Sequence, residues 1–449
     1  MISIFRSLRS SCLLLSFLVP MALPGRAAAQ DSLPRTLSLG GAARLAAQQS
    51  ATALTARYRA EQVRSHITQQ RAALLPTISA SAIRQGNTFN TITFGIPFPG
   101  FSPTGSIIGP VNTLDMHGQI SQTLFNAAAF ERVRSANTSA TASSASAASA
   151  AQQAAGLAAN AYLQAQRAAA ELDARLADSV LADSLVLIAR KQTQAGVGVA
   201  LDVTRAEAQL ASVRAQLIGA RNARDIAMLG LLRSLGLPLD AEITLTDSLA
   251  TLPLSDTLPS EQDAITAALQ RRPDLRATEE QLHATQQTES AIRAEWIPSV
   301  SVFGNDGVLG GNTSHLLNTY NWGIELSIPL FQGFGRTGRL QEQQAMERQI
   351  ETQRQDLHEQ VATEVRGALM NMASAHEQVE ASRERLRLAQ QEVAQASDRF
   401  RAGVAGNADV ITASLDLNSS RNQLIDALTA YQTARVSLAQ AEGAVTALP

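Results

Sequence analysis

A nine-residue phrase is written twice in this chain: "AGVGVALDV" from Ala195 and "AGVAGNADV" from Ala402, 207 residues apart. Two further pairs keep the same order. "LLPTISASA" from Leu74 matches "WIPSVSVFG" from Trp296 at an offset of 222, and "TLFNAAAF" from Thr123 matches "PLFQGFGR" from Pro329 at 206. The 16-residue difference falls where one loop is longer. A chain that repeats itself at a fixed period folds as copies of one unit, so each half interprets the other. The repeats are placed at 30–236 and 264–449, with "LPLDAEITLTDSLATLPLSDTLPSEQD" (237–263) as the join.

Helices dominate each repeat. In the second, Pro273 and Asp274 suit a helix start that runs to about Trp296, and an equivalent helix in the first ends before Pro76. After Phe331 a helical pattern continues to about Arg401 without proline. Val365, Met372, Val379, Leu386, Val393 and Phe400 recur every seven residues. Three residues after the first five stand Ala368, Ala375, Ser382, Ala389 and Ala396. One large and one small residue per heptad lets a neighbouring helix approach closely. About 70 residues at 1.5 Å each make a helix roughly 100 Å long. The first-repeat counterpart, about 126–194, contains "SANTSATASSASAASAAQQAAGLAANAY". That composition also fits a disordered low-complexity linker; alanine's helix propensity and the alignment with the second repeat favour helix. Each repeated phrase is then followed by a shorter helix, about 202–236 and 409–446. The shorter helices, stacked end to end, match a long one in length, which predicts a rod of antiparallel helices.

Period two replaces this pattern at about 75–84, 114–124, 297–304 and 320–330. In "YNWGIELSIPL", Tyr320, Trp322, Ile324, Leu326, Ile328 and Leu330 alternate with Asn321, Gly323, Glu325 and Ser327. "MHGQISQTL" sets Met116, Ile120 and Leu124 against His117, Gln119, Ser121 and Thr123. Such segments of about ten residues suit membrane-barrel strands, and a half-buried soluble sheet alternates too. Aromatic placement favours the barrel. Only 4% of residues are aromatic, yet Phe125, Trp296, Tyr320, Trp322 and Phe331 all lie in or beside these strands. Phe89, Phe94, Phe98 and Phe101 share one Gly/Pro-rich loop. Barrels carry aromatic belts at the membrane interfaces. Four strands cannot close a barrel, and an open edge in lipid leaves backbone groups unpaired at several kcal/mol each. The chain therefore has to oligomerise: two copies give a barrel filled by its own side chains, three can leave a lumen.

Export is read from the N-terminus. Arg6 and Arg9 precede "CLLLSFLVPMAL", and Ala27-Ala28-Ala29 offers small-residue cleavage, so 1–29 is expected to be a signal peptide. The only cysteine, Cys12, lies within it, and its flanks lack a lipid-modification pattern, so no acyl anchor is expected. Removing Arg6, Arg9 and Arg26 takes the formal charge from −2 to −5, with 34 basic and 39 acidic residues left. That is no footprint for nucleic acid. No further apolar run approaches the roughly 18 residues of a membrane helix. The six histidines are scattered, and neither HExxH nor a phosphate-binding glycine loop occurs, so no enzyme, cofactor or metal site is expected.

"RRPDLRATEEQL", the Ala-rich lead into "WIPSVSV", "SIPLFQG" and the "AGV…DV" loops, in this order in a duplicated exported chain, resemble the outer membrane efflux protein family of TolC-like channels. The resemblance covers essentially the whole mature chain. It implies a mainly α fold with a membrane β-barrel: a homotrimer whose four strands per chain make a 12-stranded barrel in outer-membrane lipid, continued by a long antiparallel α-helical tunnel across the periplasm. It further implies an exit duct of a tripartite efflux or secretion system, with a periplasmic adaptor protein and an inner-membrane pump as partners and small molecules or polypeptides as cargo. Twelve helices about 10 Å apart make a ring roughly 38 Å across between axes, with a bore near 28 Å after subtracting one helix diameter of about 10 Å. The competing reading is an exported structural coiled coil without a pore; strand alternation and aromatic clustering favour the duct.

The repeated phrase has a structural reading and a functional one. Gly196 and Gly403 suit a helix C-terminus, and Asp202 and Asp409 the N-cap of the next helix, which is all an αα-hairpin requires. The resemblance implies more. Asp409 matches an acidic position lining a periplasmic constriction, and Asp202 an acidic gate position in the other repeat. Phe400 stands where the type member has a gate tyrosine. Gly196, Val197, Gly403 and Val404 match tip positions that meet the adaptor. Ala405 sits where an arginine can tie the gate shut, and Thr412 where a second acidic ring can occur. Carboxylates repeated by threefold symmetry would focus a negative field in a narrow pore.

Overall fold

The computed structural model describes residues 36–94, 107–249 and 259–449. The expected signal segment, Phe98, Phe101 and part of the join lie outside the described residues. One order of elements occurs twice. The first set is β1 (Thr36–Leu37), α1 (Leu39–Gln49), α2 (Ala51–Ala72), β2 (Thr77–Asn90), β3 (Ile107–Phe125), α3 (Ala127–Gln194) and α4 (Ala200–Leu235). The second is β4 (Thr244–Leu245), α5 (Glu261–Arg271), α6 (Pro273–Ala294), β5 (Ser299–Gly310), β6 (Leu316–Ser327), α7 (Gly335–Arg401) and α8 (Asn407–Ala441). Corresponding helices agree in length to one residue: 68 and 67 for α3 and α7, 36 and 35 for α4 and α8.

The Ala/Ser-rich stretch is helical throughout α3, so propensity wins over its low complexity. The heptad seam of α7 faces the core: Val365 and Val379 are fully buried, and Met372, Val393 and Phe400 nearly so, with Ala368, Ala375 and Ala389 buried between them. The helix expected before Pro76 is in fact preceded by a separate one. Ser50 ends α1 and caps α2, its Oγ accepting from Ala53 N at 3.2 Å. In the second repeat Arg272 and Pro273 make the same break between α5 and α6. α2 and α6 flank the sheet-proximal half of α3, while α4 and α8 pack along its far half. Where these pairs meet, Tyr162, Leu163, Leu231, Leu235, Val379 and Tyr431 form the main core. The Tyr162 hydroxyl lies 3.0 Å from Leu37 O and from Asp247 Oδ2, and burial pushes its pKa up to about 12. β1 pairs in parallel with β4 beside it, tying the chain start to the join.

The other four strands form an open antiparallel sheet in the order β2-β3-β5-β6. They outrun the expected segments: β2 continues past 84 to Asn90, β3 starts at Ile107, and β5 reaches Gly310. The added residues include Gly86, Asn87, Asn112, Asn305, Asp306 and Gly307, which in isolation read as turns. In the sheet they are in register with partner strands, and the ladder overrides local preference. Among the described residues no helix is long and apolar enough to cross a membrane.

Candidate functional site

At the end of the rod away from the sheet, two hairpins carry the repeated phrase. Gly196 and Gly403 adopt left-handed φ of 72° and 73°. Each sits one residue past the C-cap. Gly196 N donates to Thr193 O and Val197 N to Gln192 O, while Gly403 N donates to Phe400 O and Val404 N to Arg399 O, all at 3.0–3.1 Å. These are two Schellman motifs of identical hydrogen-bond pattern. The residue that usually packs back onto the helix is instead left in solvent, Val197 being 77% and Val404 69% exposed. The aspartates are not N-caps. Val199 and Gly406 occupy those positions without a side-chain bond, and Asp202 and Asp409 both stand at the third helical residue. There a carboxylate faces the positive helix end. Asp202 is half-buried and Asp409 exposed, and neither carboxylate has a hydrogen-bond partner among the described residues.

Two side chains tie the hairpins together. Gln192 Nε2 donates to Phe400 O at 2.8 Å, and the buried Asn407 donates through Nδ2 to Asp202 O at 2.8 Å. Phe400 is 3% exposed and packs with Leu185, Val186, Leu210, Val213 and Val410, between helices of both repeats. Its seam position, the last heptad of α7, describes these surroundings. Gln192 gave no sequence signal beyond being a polar residue just before the repeated phrase, and Asn407, inside the phrase, stands where the first copy has Ala200.

The sheet register sorts side chains by face. Directly paired residues share a face, so Ile78, Ile120, Gly304 and Trp322 form one row, and Gln122, Val302 and Ile324 the row beside it. The opposite face has Ser79, Gln119, Asn305 and Asn321 in one row and Ser81, His117, Gly307 and Thr319 in the next. One face is thus mostly apolar and the other polar. The apolar face also carries polar residues: Arg84 beside Leu114, Asn112, Gln122, Asp306, and Asn318 beside Val308. Gln122 donates its amide to Leu74 O and Thr123 O. Asp306 lies opposite Tyr320. On the polar face the Phe303 ring covers Gly323, where an added Cβ would come within 2.9 Å of it. The five expected belt aromatics split by height. Phe125, Trp296 and Phe331 mark the junction of sheet and helices. Counted from Leu326 at about 3.3 Å per residue, Trp322 lies about 13 Å and Tyr320 about 20 Å further along β6. All five are exposed.

Charged braces hold the rod. At the junction Glu295 bonds Arg132 of α3 at 2.5 Å and Arg339 of α7 at 2.6 Å, with Arg336 at 3.4 Å. Arg336 is stacked 4.4 Å from the Trp296 ring. Burial pushes the Glu295 carboxyl up, but Arg339 and Arg132 outweigh it and hold the group below its ordinary range. At mid-rod Arg272 bonds Asp274 at 2.6 Å and also Glu364. Further down, Asp178, 2% exposed, takes Arg421 at 2.5 Å and Arg175 at 3.1 Å, joining α3 to α8. Burial raises the Asp178 pKa, and the two guanidiniums only partly offset it. No group of three or more metal-ligating side chains occurs among the described residues.

The model of a family described as "Outer membrane efflux protein" matches residues 42–237 and 264–444, most of the chain and both repeats. The chain belongs to that family. This efflux-family chain is 28% identical over 266 residues to the probable efflux pump outer membrane protein TtgC of Pseudomonas putida, covering 57% of this chain and 53% of that protein. It is 26% identical over 381 residues to the alkaline protease secretion protein AprF of Pseudomonas aeruginosa, covering 81% and 76%. The chain thus spans about half the length of TtgC and three-quarters of AprF. Its fold superimposes on the CmeC outer membrane channel of Campylobacter jejuni with a TM-score of 0.75 at 17% identity, over 90% of this chain and 85% of that one. The fold is that of TolC-like channels, mostly helical with four strands in one sheet.

Proposed function

We propose that this protein is the outer-membrane exit duct of a tripartite efflux or secretion system. Three copies close the sheet into a 12-stranded barrel in the outer membrane, and their helices continue it as a periplasmic tunnel. The single observation that carries this reading is the open, two-edged sheet with one apolar and one polar face, set at the end of a helical rod in a chain of this family. A sheet with both edges free is unsatisfied in lipid until other strands close it. The apolar face meets lipid and the polar face lines the lumen. The exposed Val197 and Val404, held out on rigid Schellman turns, offer an apolar docking surface to a periplasmic adaptor, which links the duct to an inner-membrane pump.

Asp202 and Asp409 contribute a negative ring at the periplasmic mouth. Their side chains are not committed within the chain, so threefold repetition sums their fields in the pore. Phe400, being buried, acts on this mouth through packing between the repeats. Cargo is selected by the pump; small molecules are favoured, and the similarity to AprF, named as an alkaline protease secretion protein, supports polypeptides as the second class.

The test is single-channel conductance of the purified protein in a planar bilayer, beside the Asp202→Ala/Asp409→Ala variant. A small cation-preferring conductance that grows and loses its preference in the variant supports both duct and acidic mouth. Unchanged conductance and selectivity would remove the aspartates from gating, and failure of either protein to insert would return the reading to a non-pore coiled coil.

A further inference from the structure

The Ala/Ser-rich stretch of α3 has a property that helix propensity does not explain. Residues 135–166 carry no charge, 32 positions in a row, while the counterpart at the 207-residue offset, 342–373 of α7, carries nine Arg, Asp and Glu residues. Burial alone does not account for this, because Ser146, Gln153, Leu157 and Gln164 are exposed. At about 100° per residue these four fall within about 40° of one another on the helix. Tyr162, which packs with Leu39, Ala42 and Ala43 of α1 in the main core, points about 180° from Gln153. The uncharged face continues onto the neighbouring helices. Gln153 shares a groove with Gln360 and Asn371, and Gln164 shares one with Asn371 and Gln378. Asn371 and Ser437 line both, which makes them one groove along α3, α7 and α8. The charges that reach it are matched within the chain: Arg272 with Asp274 at 2.6 Å and with Glu364, and Arg167 with Asp426 at 2.9 Å. Gly367, also in the lining, sits in the interior of α7, where glycine is unfavourable. A Cβ there would meet nothing within 4 Å, so no neighbour in the chain demands it.

We infer that this groove is a neutral cargo-contact zone in the middle of the duct, where the wall meets uncharged, hydrogen-bonding cargo with side-chain amides and hydroxyls and leaves charge discrimination to the aspartates at the mouth. The inference rests on the exit-duct reading and adds a substrate class to it. The small helices α1 and α5 cover the opposite face of the wall. Arg366, which bonds Glu261 of α5 at 2.6 Å, points about 140° from Asn371. Turned inward, α1 and α5 would take about 10 Å from each side of a bore of roughly 28 Å, so they stand outside the ring and the groove faces the lumen. An Asn or Gln amide offers donor and acceptor together, the complement of a peptide group or any amide-bearing solute. Gln153 and Gln164 stand about 16 Å apart along α3, with the exposed Leu157 between them as an apolar contact. Several weak contacts in file suit a conducting path, since cargo has to leave as readily as it enters. Unmatched charges on the wall would instead favour cargo of one sign.

The test uses the Asp202→Ala/Asp409→Ala channel, whose mouth adds no charge, and reads reversal potentials in a salt gradient and current blockade by an uncharged Gly/Ser/Gln peptide. Circular dichroism checks that each variant keeps its helix content. Gln153→Lys and Asn371→Lys are each expected to shift selectivity toward anions. Ser144→Lys, exposed on the same helix about 180° from Gln153, is expected to leave it unchanged. The neutral peptide is expected to block the parent channel, with blockades about fivefold shorter or more in Gln153→Ala/Gln164→Ala/Asn371→Ala, whose reversal potential stays that of the parent. If lysine at Gln153 or Asn371 acts no differently from lysine at Ser144, the groove lies off the conducting path. If the alanine variant holds the peptide as long as the parent does, the wall does not contact this class of cargo. Either result overturns the inference, and ordinary wild-type conductance then leaves the exit-duct reading standing. A wild-type protein that does not insert overturns both.

Discussion

Gly403 and Gly196 show how much one residue can fix. Each has φ near +72° and nothing within 4 Å of the place a Cβ would take, so the demand for glycine is purely conformational. An L-residue in this region costs about 1–2 kcal/mol. Gly403→Ala is therefore expected to fray the last turn of α7, speeding amide exchange at Arg399–Arg401 about tenfold or more, with the rest of the helix unchanged. An unchanged exchange rate would mean the turn had found another conformation at no cost. These glycines were legible in sequence because a phrase kept at both ends of a duplication exposes what the turn requires. The aspartates were legible as helix-start residues but were placed as N-caps, since Asp is a good cap in isolation. The chain enters each helix two residues sooner, at Ala200 and Asn407, and leaves the carboxylates uncommitted in the first turn. Phe400 shows the reverse, because its heptad position already marked it as core.

Among the elements, the long helices were readable because a seam of large and small residues every seven positions admits only one face. α1 and α5 were not, although Ser38, Ser50 and Ser260 cap the helices there and "SEQD" at Ser260–Asp263 has capping-box spacing. Eleven-residue helices give too few periods for a pattern to stand out. The braces were beyond reach for another reason: Arg272 and Glu364 are 92 residues apart, and sequence does not pair them. Their electrostatics make a checkable claim. Burial acts to raise the Asp274 carboxyl, but the hydrogen bonds and charge of Arg272 outweigh it and hold the pKa below the ordinary value. A carboxylate with a lowered folded pKa stabilises above its unfolded pKa of about 4, and that contribution is lost as pH falls through the folded value. Asp274→Asn is expected to lower the melting temperature of the helical signal at pH 7, with the gap from wild type narrowing below about pH 4. A gap independent of pH would assign Asp274 a role other than its charge.

For the whole molecule, the faces of the sheet decide what kind of assembly it joins. Ile324 and Asn321 lie three residues apart on β6, one on the apolar face beside Val302 and the other on the polar face beside Asn305. A soluble rod exposes both to water, and a lysine at either site costs it little. In a membrane barrel the two differ, since a lysine on the lipid face near the midplane costs about 2–4 kcal/mol while a lumen residue stays in water. Ile324→Lys is therefore expected to cut the amount of trimer recovered from outer membranes. Asn321→Lys is expected to assemble normally and to shift ion selectivity toward anions, because its charge stands in the conducting path. The pair is read by membrane fractionation followed by reversal potentials in a salt gradient. Equal tolerance of both lysines, with no shift in reversal potential, would take the sheet out of the membrane. Asp306, opposite Tyr320 on the same apolar face, already breaks the pattern that Ile324→Lys would break. Its neighbours Gly118 and Gly304 leave room around the carboxylate that the branched side chains beside Ile324 do not, so the cost of charge on this face depends on local cover as well as on depth.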